Sequence, residues 1–187
     1  MKASITYFKS SGKNNTADTM NIAKARAQEL GIKNIVVAST HGYSALCAAE
    51  IFAGMDVELI AVCISPTFDD MGWKMSQEER SKLKAAGVKV ITSLHAFADG
   101  VTEGLYGEIT PGNIIANTLR LLSQGTKVAV EISIMALESG IISPEHEIIA
   151  IGGTDQGADT AIVARPAYAR KIKDFKICEI LCKPRIA

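Results

Sequence analysis

The segment Ile35-Val36-Val37-Ala38-Ser39-Thr40-His41-Gly42-Tyr43-Ser44-Ala45-Leu46-Cys47-Ala48-Ala49-Glu50-Ile51-Phe52-Ala53 decides the fold. Its first four residues form an apolar run that reads as a buried strand. The stretch from Ala45 to Ala53 reads as a helix, which Gly54 stops. A hydroxyl-rich turn with one glycine leads from the strand to the helix N-terminus. Backbone N–H groups and the positive end of the helix dipole converge at such a corner, which makes it a natural anion site. Gly42 lets the backbone approach a ligand, and the hydroxyls of Ser39, Thr40 and Ser44 can donate to phosphate oxygens. Ordinary capping of the helix by Ser44 is the alternative, and the corner alone leaves both open.

The alternation continues on either side. A first strand is expected at Ser4–Phe8, then a polar loop from Lys9 to Asn14, then a helix capped by Asn15 or Thr16. That helix carries Met20, Ala23, Ala27 and Leu30 on one face and ends at Gly31. Val57 to Ile64 is another apolar strand. Ser76 with Glu79 three residues later is a capping box for the next helix. A short strand follows at Val88–Ile91. Ser93 to Glu108 is an irregular surface excursion, and Thr110-Pro111 opens a helix with Pro at its first position. Lys127 to Leu137 fits both periods: Val128, Val130, Ile132 and Ile134 alternate, while Val128, Ile132, Met135 and Ser139 share a helix face. Glu147 to Ile151 is a strand, and two more are expected at Thr160–Ala164 and Lys176–Leu181.

Continuous apolar strands separated by helices predict an α/β fold: an open, mostly parallel sheet with helices on both faces. In such sheets ligands bind outside the carboxyl ends of the strands, at a topological switch point. The loops at those ends are the ones richest in Gly, Ser, Thr, Asn and His. One of them, Gly152-Gly153-Thr154-Asp155-Gln156-Gly157-Ala158-Asp159-Thr160, is a second glycine-rich turn after a buried strand. Thr154 and Thr160 could donate to a phosphate or a polyhydroxy chain. Asp155 and Asp159 would repel a phosphate and are expected to cap, bind hydroxyls or face solvent. A glycine-rich hairpin turn into the strand at Thr160 is the competing reading.

With 187 residues, 48% of them hydrophobic, and no linker or charge block, the chain is expected to form a single domain over residues 1–187. Twenty basic and twenty acidic residues balance, so no electrostatic case exists for nucleic acid or a membrane surface. No signal segment or spanning run is apparent, and a cytoplasmic location is expected. The four cysteines make no disulfide framework and no zinc spacing. Cys178 and Cys182, on one strand, would share a face roughly 13 Å apart, too far to bridge.

The runs "IVVASTHGYSA", "VKVAVEISIMALESGII" and "GGTDQGADTAIVARPA" resemble the C-terminal α/β domain of pyruvate kinase, and more closely its stand-alone relatives. The likeness spans roughly residues 16–182. It implies the same open sheet and favours the helical reading of residues 128–139. In pyruvate kinases this domain is regulatory. The resemblance places an allosteric sugar phosphate on a first loop, matched here by Thr40 to Ser44, and on a later one, matched by Gly157, Ala158, Asp159 and Thr160. In the stand-alone relatives the similar pocket is suggested to take flavin mononucleotide. The expected cofactor-binding set is therefore Ser39, Thr40, His41, Gly42, Tyr43, Ser44, Gly153, Thr154, Gly157, Ala158 and Thr160. Where the kinase loop usually carries a basic residue before Ser-Ala, this chain has Tyr43, which suits stacking on a flat ring rather than a doubly phosphorylated sugar. The catalytic barrel has no counterpart in the sequence, so pyruvate kinase activity is not expected.

His41 and His95 sit at expected strand ends, where they could converge as acid and base or remain solvated. His146 is expected at the surface. Glu131 and Glu138 could carry a proton or bind a metal, or face solvent. Phe68, Trp73 and Tyr106 could line a flavin or pack under loops. Three functions stay open: a binding module for a phosphorylated small molecule, a flavin-dependent oxidoreductase, and a regulatory sensor of a phosphometabolite. A homo-oligomer is compatible with the apolar content.

Overall fold

Strands form where Val, Ile and Ala run on, and seven of them make one sheet. The computed structural model describes residues 3–97, 100–107 and 109–186. The strands are β1 (Thr6–Phe8), β2 (Asn34–Ala38), β3 (Glu58–Cys63), β4 (Lys89–Thr92), β5 (Ile148–Gly152), β6 (Thr160–Arg165) and β7 (Lys176–Pro184). Their order is β1-β7-β6-β5-β2-β3-β4. The pairs β1/β7, β2/β3, β2/β5 and β3/β4 are parallel, while β6 runs antiparallel to both β5 and β7. The sheet is open and mostly parallel, as the apolar runs predicted.

From β2 the chain steps outward through β3 to β4, and from β5 it steps the other way through β6 to β7. The switch point is thus the seam between β2 and β5, where Ile35, Val36 and Val37 lie opposite Ile149, Ala150 and Ile151. The two glycine-rich corners are the continuations of these two strands.

Side chains alternate across the sheet. Ile35, Val37, Ile149, Ile151 and Val163 pack against α1 (Thr16–Leu30) and α2 (Tyr43–Ile51) through Met20, Ala23, Ala27, Ala48 and Phe52. Ala61 and Cys63 meet Leu83 of α3 (Gln77–Ala85) on that same side. Val36, Ile60, Val62, Ile148, Ala150 and Ile162 face the other way, onto α6 (Gln124–Glu138), which α5 (Pro111–Arg120) flanks. A short helix α4 (Val101–Tyr106) lies within the expected excursion, of which residues 98–99 and 108 fall outside the described residues.

The ambiguous segment is helix α6, and burial explains the ambiguity. Residues 129–137 are all buried, so no polar face marks a 3.6-residue period. Ser76 and Glu79 form the expected capping box, Thr110 caps α5 ahead of Pro111, and Gly31 closes α1 in the left-handed region. In β7 two register shifts against β6 interrupt the alternation, so Cys178 emerges exposed while Cys182 is buried.

Candidate functional site

At the β2–α2 corner, helix α2 begins at Tyr43, two residues earlier than the apolar pattern suggests. Gly42 is its N-cap with φ of 87°, a conformation that favours glycine. A Cβ on Gly42 would point at the Leu83 side chain, 3.6 Å away, so the glycine is required for its backbone angle rather than for space. Ser44 sits buried inside the first turn and does not cap it. That task falls to Ser39, which is buried and whose Oγ accepts from the Ala45 N–H at 3.3 Å. The N–H groups of Tyr43 and Ser44 make no hydrogen bond among the described residues. They are the positive end of α2. The Tyr43 ring is half exposed and Thr40 half-buried. His41 is exposed and turns to α3, its Nδ1 3.1 Å from Glu79 Oε1. The Ser76 N–H, first of all, holds the Glu79 carboxyl below the usual range.

The second glycine-rich loop is a hairpin. Gly152 pairs with Thr160, and residues 153–159 turn β5 into β6, which is the competing reading weighed above. Its glycines serve close packing. A Cβ on Gly153 would lie 2.3 Å from the Gly157 carbonyl oxygen, and one on Gly157 would lie 2.4 Å from Thr16 Oγ1 and 2.6 Å from Lys13 Cα. The hairpin therefore presses directly on the loop between β1 and α1. The Ala158 N–H donates to Thr16 Oγ1 at 3.0 Å. Asp159, fully buried, ties three segments together. Its Oδ2 accepts from the Gly12 N–H at 2.8 Å and the Thr154 N–H at 3.1 Å, and its Oδ1 from Thr160 Oγ1 at 2.8 Å. Thr160 lies 3.2 Å from Ser123 Oγ at the start of α6. Thr160 and Ala158 are thus interior residues with their polar groups engaged. Asp159 thus spends its carboxylate on the Thr160 hydroxyl and two backbone donors, while Asp155 is exposed at φ of 61°. Thr154 differs: its Oγ1 is buried with no hydrogen-bond partner among the described residues.

This packing brings in a residue that sequence reasoning missed. The Lys13 ammonium lies 4.4 Å from the centroid of the Tyr43 ring. Tyr43 itself carries no charge, but the neighbouring loop brings one beside it. The signal was present as Gly12-Lys13-Asn14 in a strand-end loop. Only the hairpin's contact with that loop shows that it reaches Tyr43.

Other candidates disperse. His95 stacks on Phe68 at 5.5 Å, and Phe68 meets Trp73 at 5.9 Å, so these rings pack on one another in the loops after β3 and β4. Glu131 is not solvated: it is buried, paired with Lys127, and accepts from the Phe97 N–H at 3.2 Å. Glu138 accepts from the Ala169 N–H at 2.7 Å, and His146 is exposed. No cluster suited to a metal ion exists among the described residues. No helix among them is long and apolar enough to cross a membrane. Two clefts of about 320 Å³ lie elsewhere, one beside Gly31 and Gly54 where β2 and β3 begin, at the opposite end of the strands, the other between His95, Phe97 and Thr110.

The chain is similar to a pyruvate kinase from Cryptosporidium parvum, at 14% identity and a TM-score of 0.42 over 81% of this chain and 23% of that one. It is similar to the pyruvate kinase of the same organism in complex with ADP, at 15% identity and a TM-score of 0.41 over 81% of this chain and 24% of that one. The chain spans about a quarter of the length of these enzymes. The family model for the pyruvate kinase alpha/beta domain matches residues 17–164, from the start of α1 to the end of β6, and the chain belongs to that family.

Proposed function

We propose that the chain binds a phosphorylated small molecule at the β2/β5 seam, with flavin mononucleotide as the ligand its residues fit. One observation carries the reading: the Lys13 ammonium lies 4.4 Å from the centroid of the exposed Tyr43 ring, at the helix start where the N–H groups of Tyr43 and Ser44 make no hydrogen bond among the described residues. A phosphate monoester takes donors and charge from the first, and a flat ring stacks on Tyr43. The buried, unpartnered Thr154 hydroxyl lies on the hairpin that packs against Gly12 and Lys13 and suits a polyhydroxy chain. Bound flavin would supply reversible two-electron redox chemistry. Gly42, Gly153 and Gly157 shape the corners, and Ser39, Ala158 and Thr160 hold them from inside.

The test compares flavin mononucleotide with riboflavin, which lacks the phosphate, by quenching of flavin fluorescence. The nucleotide binds tighter, and Lys13→Met weakens it roughly 10- to 100-fold, the loss of about 1.5–3 kcal/mol for a charge-assisted contact. Riboflavin binding does not respond to Lys13→Met. Equal affinities for the two flavins, or a Lys13→Met variant that binds the nucleotide as well as the parent, refute the site. Reduction of the bound flavin by NADH or NADPH would extend the reading from binding to catalysis.

A further inference from the structure

The balance of twenty basic and twenty acidic residues hides one lopsided segment. Residues 165–176, which carry the chain from β6 into β7, hold Arg165, Arg170, Lys171, Lys173 and Lys176 against a single acidic residue, Asp174. All five cations are exposed. None of them makes an ion pair among the described residues. Packing explains why they share a surface. Pro166 and Ala167 are buried, and Ile172 and Phe175 pack against the core that α6 covers. The Ala169 N–H donates to Glu138 Oε1 at 2.7 Å. The connection, with its 3-10 turn over Ala169–Asp174, is thus pinned from below, and its charged side chains are left to solvent. Tyr168 stands among them, 40% exposed. We propose that this segment binds single-stranded nucleic acid, its cations on the phosphates and the Tyr168 ring against an unstacked base.

The chemistry of the segment selects this partner over others. Phosphates that meet exposed cations release their counterions, and no ion pair of the protein has to break first. Stacking on an aromatic ring is indifferent to sequence, because every base has a flat face. A duplex keeps its bases stacked and offers none to Tyr168. A lipid surface also draws basic clusters, but a firm hold adds apolar side chains that enter the bilayer, and Tyr168 is the one large apolar side chain exposed between residues 160 and 180. An acidic protein segment would add anchors in a groove, and neither of the two clefts described above includes a residue of this segment. Carboxylates border it at Asp174, at Glu138 beneath Ala169 and at Glu147 beside Cys178. Five cations against these three leave the surface positive. Because β6 runs antiparallel to β5, the connection lies at the end of the sheet opposite the hairpin of residues 153–159, away from the site proposed above.

Fluorescence anisotropy of a labelled oligouridylate of about 15 nucleotides, titrated with the full chain, tests this. With four or five phosphates engaged, the logarithm of the binding constant falls with that of salt at a slope of about −2.8 to −3.5, a loss of roughly 50- to 130-fold between about 50 and 200 mM. Arg170→Ala combined with Lys171→Ala weakens binding and flattens the slope by about 1.4. Tyr168→Ala weakens binding roughly 5- to 100-fold and leaves the slope as it was. The replaced side chains are exposed, so the circular dichroism spectrum stays that of the parent. Lys13→Met, at the other end of the sheet, binds the oligonucleotide as the parent does. Absence of binding at about 50 μM protein in about 50 mM salt overturns the inference, as does binding that disappears in Lys13→Met. Binding that stays at the parent's strength in Tyr168→Ala, or in the double variant, also overturns it. So does a chain that prefers polyglutamate or phosphatidylserine vesicles to the oligonucleotide.

Discussion

Replacing Asp159 tests the joint that assembles the site. Its carboxylate is fully buried and accepts three hydrogen bonds, from the Gly12 and Thr154 N–H groups and from Thr160 Oγ1. In Asp159→Ala the hydroxyl of Thr160 can turn to Ser123, 3.2 Å away, but the two backbone donors lose their acceptor. Each part-buried N–H left unpaired costs about 1–3 kcal/mol. Release of a buried charge offsets some of this, so a net loss of about 3 kcal/mol is expected.

Asp159→Asn should behave differently, and the geometry says why. The amide oxygen takes the place of Oδ2 and keeps both N–H donors. The amide nitrogen then faces Thr160 Oγ1, which becomes the acceptor and passes its own proton to Ser123 Oγ. That hydroxyl chain can reverse because either oxygen of the Ser123–Thr160 contact can donate. The cost should stay near 1 kcal/mol. Urea denaturation measures both variants against the parent at equal slope. An alanine variant within about 1 kcal/mol of the parent, or an asparagine variant as unstable as the alanine one, refutes the assigned hydrogen bonding.

Further substitutions read the same packing. Gly125→Ala puts a Cβ 2.2 Å from Thr160 Oγ1 and 2.7 Å from Asp159 Oδ1; overpacking outweighs a helix-propensity gain of about 1 kcal/mol, and urea melts should show a net loss of about 2 kcal/mol. Burial pushes the Cys182 thiol up to about 11, against 9.0 for the free group, so the folded state holds that proton more tightly. The corresponding stability is complete below pH 9 and is lost as pH rises through about 11; the parent should lose about 2 kcal/mol more than Cys182→Ala between about pH 8 and 10.5. Glu79→Ala removes the acceptor of the Ser76 N–H and the partner of His41, and thermal melting should report about 1 kcal/mol of lost stability.

Much of the fold could be read because its strands are buried on both faces and its helices begin and end with chemical marks. Ser76 with Glu79, Thr110 with Pro111, and Gly31 each act within four residues, so local sequence contains the whole interaction. Helix α6 could not be read locally because its neighbours, not its own residues, decide which sides are covered. The direction of β6 was hidden for a related reason. A glycine-rich loop after a strand serves equally as a ligand cradle or a hairpin, and only the pairing of Gly152 with Thr160 separates them. The candidate site was legible to the same limit: Gly42 and Tyr43 stand out only by their place before a helix. Lys13 and Asp159 act across 30 and 147 residues of chain, and no spacing rule connects them to their partners.

The hairpin also sets what the proposed site can hold. Thr160, Ala158 and Ser39 spend their polar groups on the scaffold, which leaves the first turn of α2, Lys13 and Thr154 to meet a ligand. That inventory contains one cation. Carboxylates border the same segments: Asp159 accepts from Gly12 and Thr154, Asp155 follows Thr154 on the hairpin, and Glu79 lies beside His41, so a second phosphate meets negative charge. In the proposed site one dianionic group would be balanced by Lys13 and the helix dipole, whereas a bisphosphate would carry about two charges more and find no second cation among the site residues described. The Tyr43 ring, placed under the same ammonium, gives the uncharged remainder of the ligand a flat surface in exchange. Substituting Asp155→Lys should thus relax the preference for a monophosphate, and a binding assay that ranks mono- and bisphosphates identically in parent and variant would show that charge balance is not what selects the ligand.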